Sequence, residues 1–228
     1  MERRFGVTLT DFDARDAAVH VTLSDGTCVT ADLLIGADGF RSALRQQLFG
    51  ADDGCFEPLG YRFAVFDIDD PLRLEADFLS YAEPGHLAEY YALRGGRLAA
   101  MHVWRDAESA PVAPEQRWAM LQRVAADSHS RVRDFIGMGQ AGPPPTLDSL
   151  ILVNLPQWSQ GRVVLLGDAA HCLTLVPGQG AGMAIASAEI LAQELAQRPV
   201  MEALAAHDAR LRPSIALRIT YCPASLPR

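Results

Sequence analysis

Cysteine is scarce and scattered: Cys28, Cys55, Cys172 and Cys222 form no C-x-x-C pair. This spacing argues against a zinc site or a disulfide framework and fits a reducing compartment. Long apolar runs are missing as well, since no window approaches the roughly 18 consecutive apolar residues of a membrane-spanning helix. The opening residues, MERRFGVTLTDFDARD, are charged where a signal peptide needs an apolar core, so a cytoplasmic location is expected. Positive charge is in deficit, with 20 Lys+Arg against 28 Asp+Glu and a net charge of -8. Nucleic acid and anionic membrane surfaces reward a basic face, so a small organic molecule is the expected partner.

Apart from one pair of segments, internal repeats and low-complexity stretches are absent too. What remains is ordinary globular composition: 228 residues, 49% hydrophobic and 21% charged, enough for one large domain or two small ones. Residues 19–23 (VHVTL) and 28–30 flank the turn Ser24-Asp25-Gly26-Thr27 and predict a hairpin whose second arm runs on into Leu33-Leu34-Ile35. From 41 to 49 the spacing becomes helical, and Gly50 stops it.

Between about residues 59 and 104, YRFAVFDI, ADFLSYA, HLAEYYAL and RLAAMHVW alternate like strands, punctuated by Pro71, Pro84-Gly85 and Gly95-Gly96. A largely antiparallel sheet is predicted there. It concentrates aromatics such as Tyr61, Phe66, Tyr90 and Trp104, which serve packing first and a substrate pocket second. Helices are predicted over 115–126 and 130–136, then a Gly-Pro-Pro-Pro linker, a buried strand over 163–166, and helices over 180–195 and 201–219 with Pro213 as a break or kink.

The paired segments carry the chemistry. Residues 32–45 read DLLIGADGFRSALR and residues 161–195 read GRVVLLGDAAHCLTLVPGQGAGMAIASAEILAQEL; each runs apolar strand, glycine, aspartate, helix. A ligand across the carboxyl ends of two neighbouring strands would meet both aspartates. Asp168 ends a buried strand beside Gly167, and an acceptor-only carboxylate there suits a polyol better than a phosphate. The run Gly178-Gln179-Gly180-Ala181-Gly182 then opens a helix with expected inward positions Ala181, Ala184, Ile185, Ala188, Leu191 and Leu195. Its free N–H groups would stabilise negative charge on a flat ligand. The glycines equally suit close helix packing and nothing more. Taken alone, Asp38-Gly39-Phe40-Arg41-Ser42-Ala43-Leu44-Arg45 reads as a helix cap by Asp38 with Ser42 and Arg45 on the solvated surface. A literal G-x-G-x-x-G at 137–142 follows a helix and runs into three prolines, so it is not a dinucleotide fingerprint.

Together, D-G-x-x-S-x-x-R at 38–45 and G-D-A-A-H with its glycine-rich helix start at 167–182, about 130 residues apart, resemble the single-component FAD-dependent aromatic hydroxylases, the family of para-hydroxybenzoate hydroxylase. The resemblance implies an α/β fold in which an FAD-binding Rossmann-like domain (1–58 and 150–228) is interrupted by a mainly antiparallel sheet domain for substrate (59–149). It implies FAD contacts at Asp38, Gly39, Arg45, Gly167, Asp168, Pro177, Gly180, Ala181, Gly182 and Met183, and chemistry in which NAD(P)H reduces FAD and dioxygen is activated to hydroxylate an aromatic or related small molecule. His171 has no second metal ligand at useful spacing and is expected to be structural. No residue stands out as a general base.

Two positions depart from the family pattern: Leu175 stands where a proline is usual, with Pro177 two places later, and Ser187 lies near where an aspartate is common. The family's opening strand, G-x-G-x-x-G and helix are not recognised, because MERRFGVTLTDFD resembles the segment just upstream of the hairpin. An N-terminally truncated form is therefore expected, with exposed sheet edges and a tendency to associate. A catalytically inactive remnant and a flavin-independent ligand-binding module remain alternatives.

Overall fold

The computed structural model describes residues 2–15, 17–50, 54–74, 78–175 and 178–221. The chain divides into two compact units, one built from residues 1–57 and 151–224 and the other mainly from 58–150. The fold is α/β with antiparallel sheets.

The first unit begins with an antiparallel meander of β1 (Leu9–Ala14), β2 (Val19–Leu23) and β3 (Cys28–Ala31). The predicted hairpin is β2–β3, with Val21 opposite Val29. Its second arm does not run on as expected. The strand breaks after Ala31, and β4 (Leu34–Gly36) joins a different sheet of order β10–β11–β4, with β10 at Ser159–Gln160 and β11 at Val163–Leu165. Arg162 marks the change of partner by donating from Nη1 to the Asp32 carbonyl at 2.9 Å. Four helices complete the unit: α1 (Ala43–Phe49), α4 (Asp168–His171), α5 (Gly180–Leu195) and α6 (Val200–Tyr221). Contrary to the expected break, α6 continues through Pro213. Its core gathers Val19, Leu44, Val163, Leu165, Leu173 and Leu211.

The second unit is a five-stranded sheet of order β6–β7–β8–β5–β9, formed by β5 (Phe56–Asp69), β6 (Phe78–Glu83), β7 (His86–Leu93), β8 (Arg97–Arg105) and β9 (Thr146–Val153). The chain enters this unit within β5 and leaves it within β9. Period-two alternation places Ala64, Phe66 and Ile68 of β5 in one core with Ala88 and Tyr90 of β7 and Leu98 and Ala100 of β8. Leu121 of α2 (Pro114–Val124) and Phe135 of α3 (Ser130–Gly139) complete it. Pro114 starts α2 at a position where a missing N–H costs nothing.

The rejected glycine motif has a packing role. α3 runs through Gly137 to Gly139, and a Cβ on Gly139 would lie 2.6 Å from Trp118 and 2.7 Å from Phe66. Hydrogen there lets the helix end approach both rings. The expected core role of the strand aromatics holds for Phe66, Tyr90 and Trp104, which are buried, whereas Phe78 and Tyr91 are exposed and stack on each other at 5.7 Å.

Candidate functional site

The two strand-glycine-aspartate segments lie side by side. β4 runs parallel to β11, with Leu34, Ile35 and Gly36 opposite Val163, Val164 and Leu165, and Leu166 N donates to Gly36 O at 2.8 Å. Both segments therefore leave the sheet at its carboxyl end, where open parallel sheets bind ligands.

In the first segment the capping reading of Asp38 holds. Its Oδ1 accepts from Ser42 Oγ at 2.5 Å and its Oδ2 from Leu44 N at 3.1 Å, while Ser42 Oγ accepts from Arg45 N at 2.9 Å as the N-cap of α1. The solvated reading of Ser42 and Arg45 is overturned, because they are 0% and 1% exposed. Arg45 turns inward and donates from Nη1 to Ala169 O at 3.0 Å and from Nη2 to Phe40 O at 2.7 Å. Its guanidinium stands 5.0 Å from the centroid of Phe56, which stacks on Phe40. The planar fork joins the first segment to the single turn of α4 that carries Asp168.

The second segment turns sharply at Gly167. With φ at 59° it adopts a conformation L side chains rarely take, and a Cβ there would meet Ala184 Cβ at 3.1 Å. Asp168 follows as the first residue of α4 and is exposed at the end of a fully buried strand. Its carboxylate makes no hydrogen bond among the described residues, and partial burial pushes its carboxyl above the usual range. A side chain leaving Gly180 would begin 3.9 Å from Asp168 Oδ1, so the carboxylate and the start of α5 share one neighbourhood. That helix start has no side-chain cap, and its first N–H groups have no intrahelical acceptor. Ala181 and Gly182 are exposed beside it, Met183 is anchored in the core, and Pro177 lies outside the described residues.

The buried face of α5 differs from the expected one. Met183, Ser187, Leu191 and Glu194 point inward, while Ala181 and Ala188 are exposed and Ile185 is 72% exposed. Periodicity specifies a stripe, but the apolar stripe is broad here, and polar partners choose its inward edge. Ser187 bonds His207 at 3.0 Å, and Glu194 receives Arg210 at 2.5 Å. Sequence reasoning missed these helix-to-helix pairs because each partner stands in a different helix with no local signature. A separate cleft of about 290 Å³ opens where α1 ends, lined by Arg45, Phe49, Cys55 and Leu155 but not by Asp168 or the start of α5.

An accepting carboxylate next to donating amides fits a ligand with hydroxyls at one place and a ring edge able to carry negative charge at another, as in the ribityl and isoalloxazine parts of FAD. The residues present thus fit the group.

The model of the family described as FAD binding domain matches residues 1–203. The chain is 30% identical to 6-hydroxynicotinate 3-monooxygenase of Bordetella bronchiseptica, over 89% of this chain and 54% of that protein. It is also 30% identical to salicylate hydroxylase of Pseudomonas putida, over 92% of this chain and 55% of that protein. Klebsiella pneumoniae HpxO, solved with FAD and uric acid, shares the fold with a TM-score of 0.79 at 24% identity, covering 98% of this chain and 59% of that one. The chain spans about half the length of the curated relatives it matches. It belongs to the FAD binding domain family of FAD-dependent aromatic hydroxylases, and its cofactor is FAD.

Proposed function

We propose that this chain provides the ribityl-facing part of the flavin site in an NAD(P)H-dependent monooxygenase that hydroxylates an aromatic or related small organic molecule. The observation that carries this reading is the exposed Asp168 carboxylate, free of hydrogen bonds among the described residues, beside the uncapped start of α5. Asp168 accepts from ribityl hydroxyls, and the main chain at Gly180, Ala181 and Gly182 faces the ring edge, while Met183, whose N–H donates to Gln179 O at 3.0 Å, anchors that turn in the core. Asp38, Gly39, Arg45 and Gly167 hold the two segments in register, and Pro177, which lies outside the described residues, is assigned to the cofactor site by the family resemblance alone. FAD supplies the redox and oxygen chemistry when bound; the protein supplies orientation and electrostatics.

The first unit is the flavin-binding part in this reading and the second unit the substrate-binding part. On the sheet face not shared by Ala64, Phe66 and Ile68, the half-buried Phe63, Val65 and Met101 are apolar and suit an organic ring. Relatives named for 6-hydroxynicotinate and salicylate support a small aromatic substrate. β4 is an edge strand with Ile35 45% exposed, which supports self-association through that edge. A cytoplasmic location belongs to the same reading; among the described residues no helix is long and apolar enough to cross a membrane.

Flavin absorbance retained through gel filtration tests binding, and NADPH oxidation then tests turnover. Asp168→Ala removes a charged acceptor whose hydrogen bonds are worth about 1.5–3 kcal/mol, so FAD affinity should fall about 10- to 100-fold. Unchanged affinity in that variant would remove the central support for this site.

A further inference from the structure

A chain of polar side chains crosses the second unit. His102 of β8 stands opposite Ala88, between His86 and Tyr90 of β7, and all three residues are buried. His102 Nδ1 lies 3.1 Å from His86 Nε2, and His102 Nε2 lies 3.3 Å from the Tyr90 hydroxyl. At the other end His86 Nδ1 lies 3.0 Å from Oγ of Ser128, a buried residue in the connection between α2 and α3. Ser128 bonds in turn to the carboxylate of Glu83, which ends β6 and is 30% exposed. Glu83 Oε1 also accepts from His129 N at 2.9 Å.

Each link taken alone runs in either direction, since a neutral imidazole has one donor and one acceptor nitrogen and a hydroxyl does both. Together they are coupled. If Ser128 donates to Glu83, its oxygen accepts from His86 Nδ1–H, His86 Nε2 accepts from His102 Nδ1–H, and His102 Nε2 accepts from the Tyr90 hydroxyl. In the opposite sense Ser128 donates to His86 Nδ1 and turns its lone pairs on a carboxylate that has no proton to give. Partial burial opposes ionisation of Glu83, but the bonds from Ser128 and His129 N hold its carboxyl below the usual range, so it is charged at neutral pH. Around His86, β6 contributes Glu83, whose Oε2 lies 3.8 Å from Nδ1, β8 contributes His102, and the α2–α3 connection contributes Ser128 and His129. Arg133 of α3 donates to the Ser128 carbonyl, and Tyr81 of β6 stacks on His129.

We propose that these five side chains form a one-way hydrogen-bond relay whose sense is set by Glu83, and that one proton taken up at His86 reverses its inner half, a two-state polar switch within the sheet unit. In the reversed state His102 gives its Nδ1 proton to His86 Nε2 and receives one at its own Nε2, so the pair gains a single proton. The imidazolium of His86 then faces the Glu83 carboxylate. The Tyr90 oxygen accepts from His102, and its own O–H loses the acceptor it had. Burial opposes the uptake: it holds His86 below the ordinary histidine value despite Glu83, and it pushes His102 down to about 3. The forward relay is therefore the neutral-pH state and gives way as pH falls. It does not depend on the function proposed above.

The test is nitrogen-15 NMR of the histidine rings in the full chain, with His86 and His102 assigned by single replacements. At neutral pH both rings should carry their proton on Nδ1. Glu83→Gln keeps an oxygen for His129 N and offers an amide N–H to Ser128, so both rings should change to the Nε2–H tautomer. Tyr90→Phe removes the far end and should leave both on Nδ1. On acidification His86 should gain its second proton at the same midpoint at which His102 moves its proton from Nδ1 to Nε2. An Nε2–H tautomer on either ring of the parent, an unchanged pair in Glu83→Gln, or a reversed pair in Tyr90→Phe would overturn the relay. His102 keeping Nδ1–H while His86 becomes doubly protonated would overturn the switch. If Glu83→Gln fails to fold, the parent and Tyr90→Phe spectra still decide the sense, and FAD binding enters none of these readings.

Discussion

Replacing Arg45 by methionine tests whether the two motifs form one object. The substitution keeps much of the aliphatic volume and removes the fork that donates to Ala169 O at 3.0 Å and Phe40 O at 2.7 Å. Hydrogen bonds from a charged donor contribute about 1.5–3 kcal/mol each, and contact with the Phe56 ring adds about 0.5–1 kcal/mol. Against this, methionine avoids the cost of burying a guanidinium, which is several kcal/mol. The balance is a loss of about 3 kcal/mol, because the buried Ala169 carbonyl and the part-buried Phe40 carbonyl both lose their charged donor. With a urea slope of about 2 kcal/mol/M, the unfolding midpoint should move down by about 1.5 M. Arg45→Lys should lose nearly as much, since an ammonium cannot span two carbonyls as a planar fork. FAD affinity should fall in both variants, as Ala169 directly follows Asp168. A midpoint within 0.3 M of the parent, with normal FAD affinity, would refute the argument that Arg45 couples the segments.

Two further outcomes follow from packing and burial. Gly139→Ala forces a methyl against Trp118 and Phe66 at under 3 Å, and overpacking of this kind costs about 1–3 kcal/mol, readable as a lowered Tm with little effect on FAD affinity. Acid should destabilise the second unit through His102, whose burial pushes its pKa down to about 3. Its folded pKa lies below the unfolded value near 6.5, so the unfolded state binds the extra proton, and stability present above pH 6.5 is lost as pH falls toward 3. His102 bonds His86 Nε2 at 3.1 Å and the Tyr90 hydroxyl at 3.3 Å, and Glu83 lies 3.8 Å from His86. The slope between pH 6 and 4 should include about 1.4 kcal/mol per pH unit from His102 and should lose that share in His102→Gln; an unchanged slope would show that the ring titrates normally.

Much of the fold could be read from residue order. Alternation of apolar side chains marks β5 to β8, because a strand with one buried face must alternate. β1 and β9 escaped notice for opposite reasons. β1, LTDFDA, has a polar, largely exposed pattern that resembles a loop, and β9 follows directly on three prolines.

The sequence by itself determined the two strand-glycine-aspartate units, the cap by Asp38 and the exposed Asp168, since these depend on neighbours within a few residues. Only the tertiary structure decided that Arg45 is a buried tie, that α5 turns Ser187 and Glu194 inward rather than Ile185, and that His86 and His102 meet. The Arg45 contact joins positions 124 residues apart, and local spacing holds no record of such a partner. Burial of a polar side chain is stable only when a distant donor or acceptor satisfies it, and that pairing exists only after the chain has folded.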